Sequence, residues 1–252
     1  MFITLKLRRM ALFAGLAAVL LTLPLLPRTV VQTEAAAEES VGPRVVCLTF
    51  DDGPSRYTSE ILDALARNGA KATFFVTGQC EDCFPCIARA YAEGHCIALH
   101  TYSHEFSQIY ASSEAFWLDI NRLQTVIIEQ TGAPATVLRF AGGSSNSVAR
   151  RYGGRELMKT LCAECDGRGL TYCDWNVDTK DAVSGVKSAD YIARRAIEGA
   201  LGNAPSVILM HDGGLAANTA DALDILIPAL REKGCVFAFP DELTVPVHHH
   251  LS

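Results

Sequence analysis

From residue 44 onward, short apolar runs alternate with segments whose apolar residues recur at helical spacing. The runs at 44–50, 72–76, 95–99, 137–140, 170–176, 206–210 and 235–239 read as seven buried strands. Between them, 58–68 sets Ile61, Leu62 and Leu65 on one helical face and stops at Asn68-Gly69. The segment 113–131 does the same with Phe116, Ile120, Leu123 and Ile127, and stops at Gly132. Further helices are expected at 87–93, up to about Cys165, at 189–201, and from Asn218, a candidate cap, to Lys233. Strands alternating with helices imply parallel pairing through crossovers. Six or more such units in about 200 residues fit a single α/β domain. A distorted (β/α)7-8 barrel, closed or nearly closed, accommodates them better than an open sheet.

Polar residues interrupt this pattern where strands end. The first run leads into Thr49-Phe50-Asp51-Asp52-Gly53-Pro54, and the third into His100-Thr101-Tyr102-Ser103-His104. Arg139 falls in the fourth run, before Ala141-Gly142-Gly143. Asp178-Thr179-Lys180-Asp181 follows the fifth run, and His211-Asp212 the sixth. In a parallel barrel these ends share one face, so Asp51, Asp52, His100, His104, Arg139, Asp178 and His211 converge. A carboxylate at the end of a buried strand is costly unless it is paired or bound to a cation. Asp52 with two imidazoles four residues apart makes a facial two-His, one-carboxylate metal site. The alternatives are a solvated Asp-Asp-Gly-Pro turn, a satisfied histidine pair and a core histidine at 211.

Taken together, these residues describe metal-assisted hydrolysis. Asp51 is the general base, and protonated His211 is the acid for the leaving group. Arg139 holds Asp51 ionised, and Asp178 holds His211 in the required tautomer. The metal and a backbone N–H at Gly142 stabilise the oxyanion.

The first 37 residues are set apart from the fold. Lys6, Arg8 and Arg9 precede an apolar run from Met10 to Leu26, and Ala35-Ala36-Ala37 offers a small-residue cleavage site. This is the plan of a secretory signal peptide, with an uncleaved membrane anchor as the alternative. The expected layout is 1–37 signal or anchor, 38–43 linker, 44–245 catalytic domain and 246–252 tail. Residues 1–37 hold four basic residues (Lys6, Arg8, Arg9, Arg28) and one acid (Glu34), so their removal moves the formal charge from −6 to −9. An acidic chain without a basic block speaks against nucleic acid as a partner. A monomer, secreted or held at the cell surface, is expected.

The nine cysteines suit an exported chain but leave at least one thiol free. One disulfide within 80–96 and another within 162–173 are expected, with a zinc knot at Cys80, Cys83, Cys86 and Cys96 as the alternative. Cys47 and Cys235 sit in strand-like runs and read as inert buried thiols.

The two motifs around Asp51-Asp52 and His100–His104 resemble those of the polysaccharide deacetylases, the NodB-homology domain or carbohydrate esterase family 4. The resemblance spans about residues 43–245. Arg139, Asp178 and Leu209-Met210-His211 resemble the third, fourth and fifth family motifs. The resemblance implies a divalent metal, zinc with cobalt or nickel as alternatives, held by Asp52, His100 and His104. It implies Asp51 as base and His211 as acid. The implied substrate is an acetylated glycan, with N-acetylglucosamine of peptidoglycan or a chitin-like polymer first. An O-acetyl esterase on xylan and an inactive glycan-binding relative are the alternatives. After Arg139 the family has Pro-Pro-Tyr, whereas this chain has Phe140-Ala141-Gly142. Four residues after Asp178 the family has Trp, and here Ala182 stands. An aromatic wall for a sugar ring is therefore expected to be missing.

Overall fold

Strand β1 (Arg44–Gly53) pairs on both edges and is the axis of an eight-stranded parallel sheet. The protein is described by a computed structural model that covers residues 43–214 and 216–251. Residues 1–37, expected to be a signal peptide or anchor, lie outside the described residues. After β1 come α1 (Thr58–Arg67), β2 (Thr73–Thr77), α2 (Pro85–Ala92), β3 (Cys96–Thr101), α3 (Phe106–Ile109) and α4 (Ser113–Thr131). Then follow β4 (Val137–Leu138), α5 (Ala149–Gly153), α6 (Leu157–Gly167), β5 (Thr171–Tyr172) and β6 (Val177–Asp178). The chain ends with α7 (Ala189–Gly202), β7 (Ser206–His211), α8 (Thr219–Glu232) and β8 (Cys235–Phe237). None of the described helices is long and apolar enough to cross a membrane.

The period-two alternation of the strands separates two cores. Val46, Leu48, Phe50, Phe74, Val76, Leu99, Leu138, Ile208 and Met210 pack outward against the helices. Cys47, Phe75, Ala98, Val137, Cys173 and Val207 form a second, smaller cluster. In the alternation along β1, Thr49 and Asp51 follow Cys47. One strand face therefore makes the apolar lining and, at the strand's end, the acid.

The strand order is β5-β4-β3-β2-β1-β7-β6, with β8 pairing the start of β1. Of the single fifth strand expected at 170–176 only β5 forms, and a separate short strand, β6, follows just beyond it. β5 pairs with β4 and β6 pairs with β7, at opposite ends of the sheet path. Residues 173–176 join them, so the barrel closes through the covalent chain rather than through a continuous ladder. The cause is local. Cys173 N–H still donates to the Leu138 carbonyl, but Asp174 N–H donates to the Val247 carbonyl, and Asn176 N–H to Val207. The helix expected to run to Cys165 is likewise divided, with Gly154 at φ 86° ending α5. Asn218 precedes α8 as expected, but its side chain donates to the Lys187 carbonyl instead of capping.

Cys80 and Cys83 form a disulfide. The second bridge, expected within 162–173, is absent: Cys162 and Cys165 lie buried on α6, whereas Cys173 belongs to the inner cluster. Cys47 and Cys235 are buried free thiols, as expected.

Candidate active site

Asp51 lies at the C-terminal end of β1 and is 4% exposed. Its Oδ1 accepts a hydrogen bond from Arg139 Nη1 at 2.7 Å. Arg139 is fully buried, which is tolerable only because its fork is nearly saturated. Nη1 also donates to Thr49 Oγ1, Nε to the Cys173 carbonyl and Nη2 to the Asp174 carbonyl. The guanidinium also lies over the Phe75 ring at 4.1 Å. One rigid cation thus ties β1 to the chain crossing at 173–176.

Asp52 takes the next position with φ 70°, in the left-handed region. That turn separates the two adjacent carboxylates. Asp52 Oδ1 lies 3.5 Å from His100 Nε2 and 3.2 Å from His104 Nε2. One ligand atom from each of the three residues lies within 4.8 Å of the others. His100 Nδ1 donates to the Arg139 carbonyl at 2.8 Å. This bond sets the tautomer and leaves Nε2 with its lone pair toward Asp52, as a metal ligand requires. Burial acts to raise the Asp52 pKa, but the contact and charge of His100, with charge from His104 and His211, pull it well below the usual carboxylate range. Burial also acts against the His100 imidazolium, yet Asp51 and Asp52 outweigh it and raise its pKa. Burial and the neighbouring His100 lower that of His104. The pocket thus draws positive charge to the point where the three ligand atoms meet, and its donor set fits a divalent cation.

His211 ends β7 beside Asp51, its register partner on β1. The expected partner, Asp178, does not reach it. Asp178 is turned into its own loop, accepting from Lys180 N at 2.8 Å and Lys180 Nζ at 2.5 Å. Lys180, at φ 60°, redirects the chain, and Asp181 arrives instead. Asp181 is fully buried; its Oδ1 lies 2.8 Å from His211 Nδ1, and its Oδ2 accepts the His211 backbone N–H at 2.7 Å. Burial acts to lower the His211 pKa, but the Asp181 bond and charge, with Asp51 and Asp52, raise it to about 9.

Gly142 sits at φ 79° in a turn closed by Gly143 N–H donating to the Phe140 carbonyl. This loop is fastened by Asp174, which the sequence pattern left unmarked because it falls inside an apolar run. Asp174 is buried and accepts from the Ser144 amide, the Ser144 hydroxyl and the His249 amide. Residues 247–249, expected to belong to the tail, are therefore part of the site's frame. His248 stacks on Tyr172, and His249 packs edge-on to Trp175 and donates from Nε2 to the Trp175 carbonyl. Asp212, at the end of the sixth run, has no role in the sequence reading. Buried behind the Asp52 turn, it accepts from Ser55 and Thr58 hydroxyls at 2.8 and 2.7 Å. Burial pushes its carboxyl up to about 7.

A family model described as polysaccharide deacetylase matches residues 38–157. A peptidoglycan-N-acetylglucosamine deacetylase of Bacillus cereus is 32% identical over 211 residues, covering 81% of this chain and 72% of the relative. The chain belongs to the polysaccharide deacetylase family. This deacetylase matches the crystal structure of the catalytic domain of peptidoglycan N-acetylglucosamine deacetylase from Eubacterium rectale with a TM-score of 0.80 and 36% identity. That match covers 84% of this chain and 95% of that one. A chitin deacetylase of Pestalotiopsis sp is 33% identical over 76% of this chain and 61% of the relative. The family is metal-dependent, and Asp52, His100 and His104 form a possible metal site among the described residues.

Proposed function

We propose that this deacetylase hydrolyses the N-acetyl group of N-acetylglucosamine in peptidoglycan, outside the cytoplasm. The observation that carries the reading is one cluster at the strand ends. It holds a buried, Arg-paired carboxylate, a two-His, one-Asp trio and a His-Asp pair. Relatives from Bacillus cereus and Eubacterium rectale named as acting on peptidoglycan support the substrate.

Zinc, or cobalt or nickel in its place, held by Asp52, His100 and His104, would polarise the acetyl carbonyl and supply a nucleophilic water at neutral pH. Asp51 accepts the proton of the attacking water. Its Oδ1 is held by Arg139, while Oδ2 lies 4.0 Å from His100 Nε2, toward the trio. The Arg139 bond pairs Asp51 and fixes it before the reaction. The Gly142 N–H would donate to the developing oxyanion. As the C–N bond breaks, His211 Nε2 delivers a proton to the departing amine, because Nδ1 is engaged by Asp181. The products are acetate and a free glucosamine residue; Asp51 gives up the proton it took, and His211 is reprotonated, both by exchange with solvent.

Acetate release by the purified chain tests this, after chelation and again after zinc or cobalt is restored. The substrates are peptidoglycan, chitin oligomers and acetylated xylan. Metal-dependent release from peptidoglycan is expected. Release from xylan alone would assign an O-acetyl esterase, and silence on all three with metal bound would leave a binding role.

A further inference from the structure

The loop that carries His104 is gripped on all sides, and the grip centres on α4. Asp119 Oδ1 accepts the Tyr102 backbone N–H at 2.5 Å, and Asp119 Oδ2 accepts the Ser103 N–H at 3.1 Å. The two carbonyls of the same residues are also taken. Gly78 N–H donates to the Tyr102 carbonyl at 2.9 Å, and Gln79 Nε2 to the Ser103 carbonyl at 3.3 Å. Arg122, three residues beyond Asp119 on α4, lies 3.6 Å over the Tyr102 ring and donates to its hydroxyl.

This fastening has a reason in the backbone. His104 stands at φ 53°, a left-handed conformation that a histidine seldom adopts without support. Left to itself, the loop would relax toward ordinary backbone angles, and the His104 ring would swing away from Asp52. A carboxylate suits the task because its two oxygens can accept two successive amide N–H groups at once. Those amides would otherwise lack partners in a half-buried position.

We propose that Asp119 is a positioning residue for the metal trio: by bridging the Tyr102 and Ser103 amides it presets His104 and so sets the affinity for the cation. The inference rests on the metal reading of Asp52, His100 and His104. Asp119 itself touches neither that trio nor the reacting groups. It acts through the loop, as the outer partners of metal ligands do.

The test is the zinc dissociation constant of the whole chain, measured by competition with a chromogenic chelator, in wild type, Asp119→Ala, Asp119→Asn and Asp52→Ala. Asp119→Ala is expected to weaken zinc binding by about 10- to 100-fold. Asp119→Asn, whose amide oxygen can still accept one N–H, should lose less. At saturating zinc, Asp119→Ala should recover most of its turnover with an unchanged KM, since Asp51 and His211 are untouched. A residue serving only the fold would lower the melting temperature in chelator and leave the zinc constant alone. A folded Asp119→Ala protein with wild-type zinc affinity therefore overturns the proposal. If that variant does not fold, a wild-type constant for Asp119→Asn does the same. Failure of the metal reading looks different: wild type and Asp52→Ala would then bind zinc equally or not at all, and the proposal would fall with it.

Discussion

The side chain of Asp181 meets His211 twice, through Nδ1 at 2.8 Å and through the backbone N–H at 2.7 Å. One buried carboxylate thus fixes both the position of the β7 end and the orientation of the imidazole. Thr219 Oγ1 donates to the same Oδ2 at 3.0 Å, anchoring the acid to α8. Asp181→Asn should lower kcat by about 100-fold or more, the scale of a general-acid contribution. Asp178→Asn, whose side chain faces only Lys180, should change kcat little. The reverse pattern in steady-state kinetics would restore Asp178 as the orienting acid.

The pH behaviour of His211 follows from the same pair. In the metal-free protein its imidazole should titrate near about 9 by NMR. Because the folded pKa is raised above 6.5, the pairing contributes stability that is fully present below pH 6.5. That contribution is lost as pH rises through about 9. Asp181→Asn should bring the titration down and flatten that loss. A wild-type His211 titrating at its ordinary value would contradict the geometry.

Arg139→Met removes the partner of a buried carboxylate. Asp51 then loses its buried cation, at a cost of about 3–5 kcal/mol. Urea unfolding should show that loss, with activity lost as well. A variant as stable as wild type would mean that Asp51 does not depend on this pair.

The two adjacent aspartates should separate by function. Asp52→Ala should lose both metal and activity, because one of three ligands goes. Asp51→Asn should keep metal, measured by elemental analysis, and lose turnover. Near-normal turnover in a metal-loaded Asp51→Asn protein would remove Asp51 from the mechanism.

The C-terminal residues should matter more than a tail would. Removing 246–252 deletes the His249 N–H from buried Asp174 and the Val247 carbonyl from the Asp174 N–H. Each buried polar group left without a partner costs about 1–3 kcal/mol. The truncated chain should unfold at lower urea, and its kcat should fall because Asp174 also fastens the Gly142 loop through Ser144. Unchanged stability would show that solvent replaces both contacts at no cost.

The strand-helix alternation and the site acids and bases at strand ends were legible in the sequence alone. Asp51, Asp52, His100, His104, Arg139 and His211 all stand at the ends of apolar runs or just past them. Their convergence follows from parallel pairing, a local pattern repeated. What lay beyond the sequence depends on where loops travel once they leave a strand. Asp178 and Asp181 are three residues apart in one charged loop, and only the turn at Lys180 decides which carboxylate faces His211. Asp174 reads as part of a strand until the barrel closes across it and the C-terminus supplies its partners. Asp119 looks like a solvated helix position until the His104 loop folds onto it. Periodicity records which face a residue takes within its own element. The partner of a buried acid is set by elements far apart in the chain, and only the packed structure brings those together.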